Sequence, residues 1–159
     1  MRNKEEIPVL VAEIKNELSK LEILSQKLAS QVNRTNKEEI AESAALRLHN
    51  FYTGCERIFK LIISEINGGI PHELDWHKRM LTQVSLEIED IRPAIISPQT
   101  RKDLEELLRF RHVVRNIYGF ELKPERIETL ITLTTSLFPN FTKEIEDFMA
   151  FLIGIYKGT

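Results

Sequence analysis

Cysteine is almost absent from this sequence, which contains only Cys55. A single cysteine cannot form an internal disulfide, and it cannot supply paired thiolates to a metal site. Cys55 lies between Phe51 and Ile58 on the apolar face of a predicted helix, so we expect a buried structural thiol rather than a nucleophile.

Long apolar runs are also missing. No stretch approaches the roughly 18 consecutive apolar residues that a membrane-spanning helix needs. The N-terminal segment MRNKEEIPVLVAEIKNEL carries acidic residues where a secretory signal would need an uninterrupted apolar run. We therefore expect a cytoplasmic protein that does not associate with a membrane.

Several sequence signatures of enzymes are absent as well, including a glycine-rich phosphate loop and a serine nucleophile elbow. His72 and His77 are five residues apart, a spacing that does not place them on one helical face, so we expect surface polar residues and no metal site. His49 and Glu56 are two turns apart on a predicted helix, and a polar face or a contact across a dimer accounts for them. We expect no cofactor.

Charge of one sign does not dominate the chain, because 24 acidic residues nearly balance 22 basic ones and the formal net charge is −2. Any nucleic-acid site must therefore be a local basic patch. The hydrophobic content of 42% is enough for a core. We predict that residues 1–159 form one domain.

Apolar residues recur at helical spacing in long segments, and the alternation typical of strands is nowhere sustained. The periodicity predicts helices from about 4 to 33, from Asn36 to Gly68, from about 75 to 91, from Ser97 to Gly119, and from Lys123 to the end of the chain. Pro139 lies within the last segment, which is either two helices or one kinked helix. Short connections favour an all-α fold, an antiparallel bundle of about five helices.

One segment, RFRHVVRNIY, departs from the usual pattern of solvated charges opposite an apolar stripe. Its basic residues Arg109, Arg111, His112 and Arg115 occur without an acid. On a helix, Arg111, Arg115 and Tyr118 form one line, and Arg109, His112 and Asn116 form another.

Two interpretations of this segment stay open from its chemistry alone. Arginines bind phosphate through paired hydrogen bonds, and tyrosine can stack on a base, which favours a site for nucleic acid. Basic residues near a helix C-terminus also complement its dipole, and tyrosine is common at the edge of a core.

The same residues carry a resemblance to a known family. The spacing Arg111, four residues, Asn116, one residue, Tyr118 resembles the arginine, histidine, tyrosine motif of HepT-type toxins, which belong to the HEPN superfamily of all-α ribonuclease domains. The segments RLHNFYTGCERIFKLI and LLRFRHVVRNIYGFEL are similar to HepT-like segments in the same order.

The resemblance implies a homodimer in which motif helices face each other, and a metal-independent endoribonuclease that acts on tRNA or mRNA. Arg111 would hold the scissile phosphate, with Arg109 and Arg115 binding neighbouring phosphates. The resemblance also implies a nucleotidyltransferase antitoxin of the MNT type, which would neutralise the toxin by transferring AMP to Tyr118.

The sequence departs from the motif where the family has its histidine, because that position is Asn116. An amide can position a substrate, but it cannot transfer a proton near neutral pH. Three interpretations remain: His112 has taken over acid and base catalysis, the site cleaves slowly by positioning and electrostatics, or the chain binds RNA without cutting it.

Three functional hypotheses follow. The first is a HepT-like toxin of a type VII-like toxin–antitoxin pair that cleaves RNA through Arg111, Asn116 and His112. The second is a catalytically inactive HEPN module that binds a nucleotidyltransferase or RNA. The third is a purely structural helical protein, which would bind no RNA.

Overall fold

The computed structural model describes residues 4–32, 34, 37–66, 74–116 and 121–158. Within these residues the chain forms five α-helices after a short 3₁₀ turn at Lys4–Glu6. They are α1 Ile7–Gln31, α2 Lys37–Ile66, α3 Trp76–Val84, α4 Pro98–Asn116 and α5 Pro124–Lys157. The described residues form no strand, and a single isolated bridge pairs Ile88 with Arg92. The all-α prediction is confirmed.

The core of the bundle lies between α1, α2 and α5, which pack against one another along much of their length. Helices α1 and α2 come especially close where Leu21 faces Gly54, because a β-carbon at position 54 would lie 2.5 Å from a methyl carbon of Leu21. The apolar stripes predicted for these helices are buried in the core, as is Cys55. Burial of the Cys55 thiol was therefore predicted correctly.

Helix α3 is shorter than the sequence predicted. It ends at Val84, so the prediction of a helix continuing to residue 91 is wrong in its second half. Arg92 provides the physical reason, because its buried guanidinium donates hydrogen bonds to the carbonyl oxygens of Gln83 and Leu86 at 3.0 and 2.9 Å. The Gln83 oxygen also accepts a hydrogen bond from the Leu86 amide at 3.2 Å, so Arg92 and a backbone turn together satisfy the carbonyls at the end of α3.

Helix α4 begins as predicted, with Ser97 as its N-cap and Pro98 as its first residue. The Ser97 hydroxyl accepts a hydrogen bond from the Thr100 amide at 3.1 Å. Glu144 of α5 strengthens this start, because its carboxylate accepts hydrogen bonds from the Ser97 amide and the Thr100 hydroxyl, both at 2.5 Å. These hydrogen bonds hold α4 and α5 together at the beginning of α4.

The sequence left open whether the last segment forms two helices or one kinked helix. It forms one helix, α5, which runs from Pro124 to Lys157 with Pro139 inside it. The phenylalanines on either side of this proline pack against α2: Phe138 contacts Phe51, and Phe141 contacts Phe59. Tertiary packing thus supports the helix where the proline removes one backbone hydrogen bond. Asn36, Gly68 and Gly119, where the sequence predicted helix ends, lie outside the described residues.

Candidate active site

A buried carboxylate lies at the centre of the polar network in this bundle. Glu56 of α2 is only 3% exposed. Its Oε2 accepts a hydrogen bond from the hydroxyl of Tyr52 at 2.7 Å, and it lies 2.5 Å from Nδ1 of His77 on α3. Two donors therefore satisfy this oxygen of a carboxylate that would be costly to bury alone. Burial, followed by the adjacent Glu56 charge, raises the pKa of Tyr52, so its hydroxyl keeps its proton and remains a donor.

His77 connects this carboxylate to Arg111 of α4. Nη1 of Arg111 lies 3.0 Å from Nε2 of His77. A guanidinium can only donate hydrogen bonds, so Nε2 of His77 must be the acceptor and must carry a lone pair. The proton of the neutral ring is then on Nδ1, where it is donated to Glu56. Glu56, His77 and Arg111 form a chain of hydrogen bonds that joins three helices.

Arg111 itself is only partly satisfied. Its side chain is partly buried, and its Nε–H group has no hydrogen-bond partner although the atom is shielded from solvent. No carboxylate in the described part of the chain forms an ion pair with this guanidinium. A partly buried cation with donors to spare is suited to bind an anion with two or more oxygens, such as a phosphate.

One face of the His77 ring is covered by Trp76, whose ring stacks on it with centroids 3.6 Å apart. Lys60 of α2 lies over the Trp76 ring, with Nζ 4.3 Å from a ring centroid. The contact with Trp76 fixes the plane of the imidazole. The His77 side chain is 15% exposed. The His77 ring is thus held in place by neighbours on α2, α3 and α4.

His49, one turn before Tyr52 on α2, lies on the side of the site nearer the end of α4. Its Nδ1 is buried without a hydrogen-bond partner. Burial, and then the charges of Arg111 and Arg115, lower the pKa of His49. Its side chain lines an open groove of about 560 Å³, with the lining residues Glu42, Ala45, Leu46, Val114, Arg115 and Leu122. An anion bound in this groove would meet Arg115.

The structure separates the residues that the sequence placed in one site. Arg109 is exposed and pairs with Glu106 on its own helix, and Arg126 of α5 donates to the same carboxylate at 3.0 Å. These two hydrogen bonds lower the pKa of Glu106. Arg109 therefore belongs to a surface cluster in which two arginines share one acid.

His112 and Asn116 form a pair on the exposed side of α4. The Asn116 amide donates a hydrogen bond to the backbone carbonyl of His112 at 2.7 Å, and both residues are exposed. The imidazole that contacts Arg111 is thus that of His77, which lies on another helix. Tyr118, the predicted site of modification, lies outside the described residues.

Two expectations from the sequence were wrong. His77 is not a surface polar residue, and Glu56 does not lie on an exposed polar face, because both are held in the network just described. One signal for Glu56 was available, since it follows Tyr52 and Cys55 on the stripe that α2 buries, where an acid needs a partner. Among the described residues, no three His, Cys, Asp or Glu side chains are arranged to hold a metal ion.

A comparison with protein families matches residues 43–152 to the model for HepT-like proteins. This match covers more than half of the chain, including the predicted motif and the whole polar network. The chain belongs to the HepT-like family. The similarity inferred from RFRHVVRNIY is therefore confirmed at the level of the family. No match was found among curated proteins or among solved structures.

In this HepT-like protein, two residues of the predicted motif differ in their surroundings. Arg111 contacts the interior network through His77, whereas Asn116 is exposed and bonded to its own helix. In addition, no helix in the described ranges is long and apolar enough to cross a bilayer.

Proposed function

We propose that this HepT-like protein is the toxin of a toxin–antitoxin pair and acts as an endoribonuclease, with Arg111 binding the scissile phosphate. The observation that carries the proposal is the state of Arg111. Its guanidinium is partly buried, has an unused Nε–H donor and forms no ion pair within the described residues. An RNA phosphate would supply a negative charge and hydrogen-bond acceptors for this guanidinium.

Neighbouring charges favour an extended polyanion over a single small anion. Arg115 is exposed beside the groove that His49 lines. Arg109 and Arg126 share the single carboxylate of Glu106, so that cluster keeps a net positive charge. Together these residues give the end of α4 a local positive patch on a chain whose net charge is −2. Such a patch attracts the RNA backbone, and its effect weakens as salt increases.

The proposed reaction needs no metal ion. The 2′-hydroxyl oxygen attacks the adjacent phosphorus, and the products are a cyclic phosphate and a 5′-hydroxyl. Arg111 stabilises the negative charge that accumulates on the phosphoryl oxygens. Its hydrogen bond to His77, which directs the guanidinium before the substrate binds, supports this role.

The proposed function includes two partners, an antitoxin and a second copy of this chain. An MNT-type nucleotidyltransferase would be the antitoxin and would transfer AMP to Tyr118, two residues beyond Asn116. A bulky, negatively charged AMP group near the end of α4 would repel RNA from Arg111 and Arg115. We also propose a homodimer, in which the ends of both α4 helices line a shared cleft.

A second candidate is a non-catalytic HepT-like module that binds RNA or a nucleotidyltransferase without cleaving. One observation favours this candidate: the exposed amide of Asn116 donates a hydrogen bond to a backbone carbonyl of its own helix. An amide is also unable to transfer a proton near neutral pH. A cleavage assay distinguishes the two candidates.

The test is a cleavage assay on total RNA and purified tRNA with EDTA present, together with growth of cells that express the protein. Arg111→Ala should reduce cleavage by about 10²–10³-fold, the usual cost of removing one donor that stabilises transition-state charge, and should relieve growth inhibition. Lys102→Ala is the matched control, since it removes an exposed cation earlier on α4. Equal activity of Arg111→Ala and wild type would contradict the ribonuclease proposal.

Co-expression of the antitoxin in the same growth assay tests Tyr118. The antitoxin should restore growth with wild type but not with Tyr118→Phe, and mass spectrometry should find AMP only on the wild type. Binding of RNA without any cleavage by the wild type would instead support the non-catalytic module.

A further inference from the structure

We propose that His77 supplies the proton-accepting imidazole of the Arg111 site, and that Glu56 holds its ring in the required orientation. This inference rests on the proposed ribonuclease function and identifies a catalytic group that lies outside the motif. It follows from three features: the chain of hydrogen bonds between Glu56, His77 and Arg111, the Nε–H group of Arg111 that has no partner among the described residues, and the exposed position of Asn116.

The contact with Arg111 determines the tautomer of His77. Because Arg111 can only donate, the Nε2 atom of His77 is the acceptor and carries the lone pair that a general base needs. Nδ1–H is directed at Glu56, 2.5 Å away. A carboxylate on this side of the ring stabilises the imidazolium that forms when Nε2 takes up a proton.

Substrate binding frees the lone pair. When phosphate oxygens accept hydrogen bonds from Arg111, its Nη1–H group donates to the phosphate instead of to His77. Nε2 of His77, 3.0 Å from Nη1, is then left without its donor beside the bound phosphate. In this position Nε2 can accept a proton from the 2′-hydroxyl next to the phosphate that Arg111 binds. The same contact therefore blocks the base in the free protein and places it next to the substrate in the complex.

The atoms of the proposed step balance. The O2′–P bond forms as the 2′-hydroxyl proton passes to Nε2 of His77, and the P–O5′ bond breaks with its electron pair going to O5′. O5′ takes a proton from water, and the resulting hydroxide removes the proton from the His77 imidazolium. The products are a 2′,3′-cyclic phosphate and a 5′-hydroxyl, and His77 returns to its neutral form.

The environment of His77 fits this role better than that of His112. Trp76 stacks on the His77 ring, and Tyr52 shares the Glu56 oxygen that His77 uses, so the imidazole has one orientation. His112 is exposed on α4, and neither a carboxylate nor Arg111 contacts its side chain within the described residues. A general base needs an oriented ring, and of these two histidines His77 has that support.

The experiment measures single-turnover cleavage of an RNA substrate by the full chain and its variants, with EDTA present. His77→Gln keeps a hydrogen-bond acceptor for Arg111 but cannot take up a proton, so cleavage should slow by about 10²–10⁴-fold. His112→Gln is the same substitution at the competing position. A loss in His112→Gln as large as that in His77→Gln would overturn the assignment.

Two further readouts separate chemistry from folding. Added imidazole should restore part of the activity of His77→Ala, which a purely structural role would not allow. An RNA with sulfur in place of the leaving 5′-oxygen needs no acid, so the defect of His77→Gln should persist on this substrate. Full recovery of His77→Gln on the sulfur substrate would show that His77 is an acid instead and would overturn the proposal. Thermal unfolding should show that His77→Gln and His77→Ala are both folded.

The cleavage rates distinguish a wrong role for His77 from a wrong ribonuclease function. If wild type cleaves, Arg111→Ala does not and His77→Gln cleaves as fast as wild type, the ribonuclease stands and the role of His77 is wrong. If wild type does not cleave at all, both proposals are overturned. Slow cleavage by Glu56→Gln, with at least about tenfold loss, would support the positioning role of the carboxylate.

Discussion

At the scale of single residues, the feature that distinguishes this bundle is a chain of polar side chains inside it. Glu56 is buried, and Tyr52 and His77 donate to the same oxygen. A buried carboxylate without such donors would destabilise the fold by several kcal/mol, so both hydrogen bonds stabilise the native structure. These contacts orient His77, and through it Arg111.

His49 gives a pH-dependent prediction at this scale. Burial, and then Arg111 and Arg115, lower its pKa below the ordinary value of 6.5. Above that pH the folded and unfolded chains are both neutral at His49, so its contribution to stability is fully present. As the pH falls through about 6.5, the unfolded chain takes up the proton first and the free energy of unfolding decreases.

The measurement is thermal unfolding of wild type and His49→Gln between about pH 8 and pH 5. The melting temperature of wild type should fall more steeply over this range than that of His49→Gln. His112→Gln is the matched control, because His112 is exposed. Parallel curves for wild type and His49→Gln would contradict the prediction.

At the scale of elements, the contact between α5 and the beginning of α4 sets the position of the helix that carries Arg111. Glu144 accepts hydrogen bonds from the Ser97 amide and the Thr100 hydroxyl. Its negative charge also lies at a helix N-terminus, where the dipole favours an anion. The N-cap and the interhelical contact therefore act at the same place.

Glu144→Ala should lower the free energy of unfolding by about 1.5–3 kcal/mol, because it removes hydrogen bonds to a charged group. Asp147→Ala provides the comparison, since it removes an acid on the same helix whose only described partner is Lys143 in an exposed pair at 3.1 Å. That change should cost less than about 1 kcal/mol. Urea unfolding of both variants checks the difference, and equal losses would contradict the capping role of Glu144.

At the scale of the whole molecule, apolar side chains are exposed next to the proposed RNA site. Leu46 on α2 is 61% exposed and Val113 on α4 is 49% exposed, and each lines a groove that also contains Leu122. Burying such residues against a second copy would remove apolar surface from water. They lie on the side of the bundle where we propose that the two α4 helices meet.

Leu46→Asp should therefore shift the protein from dimer to monomer, because a carboxylate in an apolar interface is strongly unfavourable. Light scattering after size-exclusion chromatography measures the mass directly. Ile23→Asp makes the same change on α1, where Ile23 is also about half exposed at 52%, and should leave the mass unaltered. A dimer that survives Leu46→Asp would place the interface elsewhere.

The sequence by itself determined the helices, because their signals are local. The stripes of α1, α2 and α5, the N-cap Ser97 and the basic segment around Arg111 all follow from residues close together in the chain. The family also followed from local segments of sequence. The end of α3 did not, because Arg92 helps to end that helix by reaching back to carbonyls that no periodicity identifies.

Only the tertiary structure decided which imidazole contacts Arg111. His112 is the neighbour in sequence, but successive residues on a helix point in different directions. His77 is 34 residues away, and it meets Arg111 because α2, α3 and α4 are rotated so that their polar positions converge. Such rotation depends on the packing of the apolar faces of three helices against one another. No pattern within a single helix specifies that packing, and the site that it forms could not be predicted from the motif alone.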